Sequence, residues 1–117
     1  MQILVHGIPN CDTVKKARAW LADQGLAYQF HDFKKDGVPI AKLDGWIAGL
    51  GWEALVNRKG TTWRKLDGAV QAGIQDSASA RRLMVDQPSV IKRPVVEWDG
   101  QATVGFDPQA WALRARA

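Results

Sequence analysis

Cysteine is nearly absent from this chain of 117 residues. The single Cys11 excludes an internal disulfide framework and any zinc site built on several cysteines. No apolar run approaches the roughly 20 residues that a membrane span needs, so no membrane contact is expected. The opening MQILVHG has neither a basic leader nor a long apolar stretch, and no signal peptide is expected. A free thiol without an export signal fits the reduced cytoplasm, which is the expected location. Repeats, low-complexity tracts and linkers are missing too. The length suits one compact domain.

Tryptophan, by contrast, is abundant. There are six, in a chain that is 46% hydrophobic, so several must be buried. Sixteen Lys and Arg stand against twelve Asp and Glu, for a net charge of +4. That surplus suits an anionic small molecule or an acidic partner. It is too diffuse for nucleic acid, and none is expected. A monomer is the expected state.

QILVH reads as a short buried strand ended by Gly7 and Pro9. A helix follows, with Asn10 as N-cap, Cys11 at its first position and Gly25 as its stop. Val14, Ala17 and Leu21 share one face of it. AYQFHDF alternates and reads as a second strand. Residues 39–50 read as a helix with Pro39 at its first position and a stripe of Ile40, Leu43, Ile47 and Leu50. WEALVN is a short helical piece, and RKGTTWRKLDG is a turn followed by another. DSASARRLMVDQ is a clear helix, capped by Asp76 or Ser77, with Ala80, Leu83 and Met84 inward. PVVEW and QATVGF flank an Asp-Gly turn and predict a hairpin. Asp107 and Pro108 open a last helix. The order β-α-β, helices, β-β, α predicts an α/β protein. It is one thioredoxin-like domain over 1–117, with a helical insertion between the second and third strands at about 38–88.

Cys11 at a helix start meets unpaired N–H groups and the positive end of the helix dipole, which favour a thiolate. Asp12 works against this, so a compensating cation is required. Asn10 and Thr13 are placed to donate or accept at the thiol. Val14 occupies the position where a Cys-x-x-Cys motif would carry its second cysteine. Any disulfide of Cys11 is therefore intermolecular, and glutathione is the abundant thiol to resolve it. In SVIKRPVVEW, Pro94 directly before the third strand matches the cis-proline that thioredoxin-like folds set against the active cysteine. Arg93 would be carried beside the thiol with it. NRKGTTWRK offers Arg58, Lys59, Arg64 and Lys65 around a turn, and Arg58 with Arg64 are the expected binders of an anionic group. His6 is read as structural or as a neighbour of Cys11; His31 is given no role.

HGIPNCDTVKKA, NRKGTTWRKL, PSVIKRPVV and TVGF, in this order, resemble the arsenate-reductase-like family that includes the Spx regulators, and in particular its small YffB-type branch. The resemblance runs from residue 2 to about residue 112. It implies a thioredoxin-like fold with a nucleophile at Cys11, an arginine before the cis-proline at Arg93, and a central arginine at Arg58 or, with the alignment shifted, Asn57. Glutathione is implied as co-substrate and glutaredoxin as a further partner. No metal or bound cofactor is implied. In arsenate-reducing members a histidine stands four residues before the nucleophile, and a third arginine lies near the last strand. Here those positions are Gly7 and Gly105. Replacing Gly105 with Arg is expected to supply the missing cation. The favoured reading is a glutathione-dependent monothiol reductase. Arsenate reduction comes second. An Spx-like regulator binding RNA polymerase comes third, because Val14 removes the two-cysteine switch.

Overall fold

The structure, a computed structural model, describes residues 1–116. Two compact units form. One comprises Met1–Asp32 with the chain from Arg93 onward, the other Phe33–Lys92.

The first unit is a four-stranded sheet in the order β2-β1-β3-β4. Strand β1 (Ile3–Gly7) lies between β2 (Gln29–Asp32), which is parallel to it, and β3 (Val95–Trp98), which is antiparallel. A parallel pair needs a crossover, and helix α1 (Asp12–Asp23) supplies it. Strand β4 (Gln101–Val104) joins β3 through the Asp99-Gly100 turn. Both turn residues have positive φ, 49° and 89°, the torsions that let a two-residue hairpin follow the strand twist. Asp99 Oδ1 accepts the Gln2 N–H at 2.7 Å and ties the turn back to the start of β1. This is the thioredoxin-like arrangement expected from the sequence.

Val14, Ala17 and Leu21 are fully buried, as their helical spacing requires. Ala17 and Leu21 join Ile3, Val5, Val96 and Trp98 in one core. Trp111, on the last helix, is its centre. Its ring meets Trp20, Trp98 and Phe106 edge-on at 5.8, 5.1 and 4.8 Å between centroids.

The second unit runs as short helices: α2 (Phe33–Asp36), α3 (Ile40–Leu50), α4 (Trp52–Leu55), α5 (Thr61–Arg64), α6 (Gly68–Ala72) and α7 (Ser77–Asp86). A 3-10 turn, Pro88–Val90, follows. The last helix of the chain, in the first unit, is α8 (Pro108–Arg116), where Asp107 Oδ1 accepts the Gln109 and Ala110 N–H groups at 3.1 and 3.3 Å.

Several expectations shift. The helical segment begins at Phe33 rather than at about 38. The second strand stops at Asp32, and Phe33 turns into α2 and is buried. The segment also extends past 88, because Val56 bridges Ile91 and Lys92 N–H reaches Leu55 O at 2.7 Å. Pro39 is the N-cap of α3, not its first residue. The expected stripe on α3 is also wrong at its start: Leu43 and Trp46 are buried, while Ile40 is exposed. Asp76, not Ser77, caps α7, in a reciprocal box with Ser79.

Candidate active site

Antiparallel pairing of β1 with β3 explains how residues far apart in sequence meet. His6 stands opposite Val95, so the exit of β1 and the entry of β3 lie at the same end of the sheet. The exit leads through Ile8, Pro9 and Asn10 to Cys11. The entry is preceded by Arg93 and Pro94, whose peptide bond is cis.

Cys11 is itself the N-cap of α1. Its backbone is extended (φ −120°, ψ 127°), and its carbonyl accepts the first helical bond, from Lys15 N–H at 2.9 Å. Asn10 therefore lies one residue outside the cap expected of it. An N-cap side chain faces the amides two and three residues on. For Cys11 these belong to Thr13 and Val14. The thiol is half-buried, and burial works to raise its pKa. The Val14 N–H, the Arg93 guanidinium (by hydrogen bond and by charge) and the Thr13 N–H together outweigh it and hold the pKa below the ordinary thiol value. Neither amide closes to a capping hydrogen bond of good geometry, so they act on the sulfur chiefly as aimed dipoles. Burial, and not Asp12 as expected, is the main opposing influence.

The structure thus brings Cys11 and Arg93 together, with Pro94 following Arg93 across the cis bond. Thr13 contributes its backbone, while its side chain is exposed. Asn10 is exposed and accepts Lys15 Nζ at 3.4 Å. At the site Val14 was read only as the absence of a second cysteine, yet its amide is one of the principal influences lowering the thiol pKa, beside Arg93. That role follows from the cap, and it becomes visible once Cys11 rather than Asn10 is placed there.

Gly105 directly follows β4, and its N–H donates to the Pro94 carbonyl at 2.9 Å. Its φ of +85° lies in the left-handed region, where an arginine would be strained. The expectation that arginine there simply supplies a third cation therefore meets a backbone obstacle.

His6 is buried, and its Nε2 lies 2.9 Å from Glu97 Oε2. The His31 ring packs on it at 5.3 Å. His6 does not figure among the influences on Cys11.

Arg58 and Arg64 lie in the second unit. The Arg58 guanidinium lies over the rings of Trp52 and Trp63, 5.4 and 5.7 Å from their centroids. Arg64 Nη2 donates to Lys59 O at 2.5 Å, and Asn57 Oδ1 accepts the Lys59 N–H at 3.2 Å. Asn57 and Arg64 thus shape the turn that carries Arg58. Among the described residues no group of three His, Cys, Asp or Glu could hold a metal ion, and no helix is long and apolar enough to cross a membrane.

The family model of the ArsC family matches residues 6–113. The chain is 41% identical over 109 residues to an uncharacterised protein of Haemophilus influenzae, covering 93% of this chain and 95% of the relative. A solved structure of a YFFB protein superposes with a TM-score of 0.90 at 48% identity, over 96% of this chain and 97% of that one. The global transcriptional regulator Spx of Streptococcus agalactiae is 24% identical over 101 residues, 85% of this chain and 72% of the regulator.

Proposed function

The chain belongs to the ArsC family, and from that premise we propose that it is a glutathione-dependent monothiol reductase with Cys11 as nucleophile. One observation carries the reading: the only thiol in the chain sits where two amides and the Arg93 guanidinium favour its thiolate. The thiolate attacks one sulfur of a disulfide that includes glutathione. The S–S bond breaks, the substrate leaves as a thiolate and takes up a proton, and Cys11 is left joined to glutathione. A second glutathione, as thiolate, attacks the glutathione sulfur, frees Cys11 and departs as oxidised glutathione. The net exchange consumes one reduced glutathione: the disulfide passes from the substrate to a glutathione pair, and the protein ends as it began.

Arg93 stabilises the attacking and the departing Cys11 thiolate. In the second unit, Arg58 is the proposed binder of an anionic group, and Arg64 holds its turn. Glutaredoxin is a further proposed partner, and the cytoplasm the proposed location. Arsenate is a more demanding substrate, because a tetrahedral oxyanion needs several cations at the attacking sulfur, and the third expected one is Gly105.

The test is mass spectrometry of the protein after incubation with oxidised glutathione, beside an assay of arsenate turnover with glutathione and glutaredoxin. A glutathione adduct on Cys11, removed by reduced glutathione, with slow or absent arsenate turnover is the expected result. Robust arsenate turnover would make the protein an arsenate reductase. A thiol that alkylates yet forms no adduct and turns over nothing would favour the regulatory reading.

A further inference from the structure

We infer that Gly7 is a positioning residue for the Cys11 thiolate: the absence of a side chain there lets Val14 seat the first turn of α1 against the end of β1, and this seating aims the Thr13 and Val14 amides at the sulfur. The inference rests on the reading of Cys11 as the nucleophile. It assigns a task to Gly7, which otherwise stands only as a departure from the family pattern.

Gly7 is the last residue of β1 and is buried. A Cβ built there would lie 3.0 Å from Val14 Cγ2, 3.6 Å from Val14 Cγ1 and 3.9 Å from Phe30 Cε1. The side chain of Val14 thus fills the space that a residue at position 7 would take. Val14 is fully buried, and a β-branched side chain in a helix has one strongly preferred rotamer. It cannot readily turn aside, so a methyl at position 7 presses on the backbone of α1 through it. The amide that moves with Val14 lowers the thiol pKa more than the Thr13 amide does. Neither amide forms a close capping bond. A displacement of a few tenths of an ångström is therefore felt at the thiol rather than absorbed by a bond already formed. Gly7 has no positive φ, so alanine is compatible with its backbone and the substitution probes the contact alone.

The experiment is the pH dependence of iodoacetamide alkylation at Cys11 in four proteins: wild type, Gly7→Ala, Val14→Ala and the double variant. Gly7→Ala should raise the midpoint by about half a unit or more, through loss of aimed N–H groups. Val14→Ala removes the seat but strikes nothing, so its midpoint should rise less than that of Gly7→Ala. The double variant should fall back to the Val14→Ala midpoint, because the methyl at position 7 then has nothing to strike. An unchanged midpoint in folded Gly7→Ala would overturn the inference. So would a raised midpoint that Val14→Ala does not relieve. If Gly7→Ala is too unstable to titrate, Val14→Ile presses the same contact from the helix side and should raise the midpoint; no change there in a folded protein would overturn the inference equally. No glutathione enters the assay. A failure to form the glutathione adduct would count against the proposed function and leave this result standing.

Discussion

Arg93 and Arg58 show two ways of holding a guanidinium. In the first unit Arg93 is half-buried and directed at Cys11, a group that becomes an anion. In the second unit Arg58 is exposed and lies over the neutral faces of Trp52 and Trp63. An in-plane hydrogen bond uses the donors of the guanidinium; a cation–π contact uses its face. The first arrangement tunes a partner's protonation. The second holds the arginine in place without changing any neighbour's charge. The scaffolds differ in the same sense. A sheet and a twelve-residue helix fix Arg93 and Cys11, whereas Arg58 sits in a turn between four-residue helices.

The largest effect expected on breaking this comparison lies in the scaffold of the first unit. Trp111→Ala should cost about 3–5 kcal/mol, since it empties the centre of the core. Urea unfolding measures it. A loss no greater than that of an exposed substitution would mean that the aromatic cluster does not hold the unit. Next comes Arg93→Ala. Removing an adjacent cation should raise the Cys11 alkylation midpoint by about one unit or more while the fold survives. Arg93→Lys should recover only part, because the ammonium lacks the planar fork. An unmoved midpoint in Arg93→Ala would make the two arginines alike.

Much of the first unit was legible in the sequence, because its signals are local. Val14, Ala17 and Leu21 declare α1 by their spacing, and Asp99-Gly100 declares the hairpin. The second unit was less so. Residues 68–72 form a helix with no side-chain cap and no buried residue, so no periodic pattern announces it. Phe33 continues the alternation of the preceding strand although the chain has already turned. At the site, Cys11 and Arg93 were legible as types, but their meeting depends on the register of β1 against β3. The packing of Val14 on Gly7 has no local signature, since its partners are joined only by the close approach of a helix and a strand.

A smaller effect appears in stability against pH. The Cys11 pKa is lowered on folding. Between the folded and unfolded values the unfolded chain binds more protons, so stability rises with pH there. The contribution is complete above the unfolded thiol value of about 8.5 and is lost as pH falls through the folded value. Urea midpoints followed through that window should rise for the wild type relative to Cys11→Ser. Parallel curves would mean that folding leaves the thiol unchanged. The smallest effect is expected at Arg58. Arg58→Ala should cost about 0.5–1 kcal/mol, the range for exposed cation–π contacts, and a urea titration that shows no loss would leave the stacking without energetic weight.

The central claim is that Cys11 is a nucleophile whose thiolate forms more readily than that of an ordinary cysteine, and its rate of alkylation by iodoacetamide as a function of pH tests this most directly. A single titration with its midpoint below the free-cysteine value of about 8.5 is the predicted result. A midpoint at or above that value would show that burial outweighs Arg93 and the two amides, and would contradict the account.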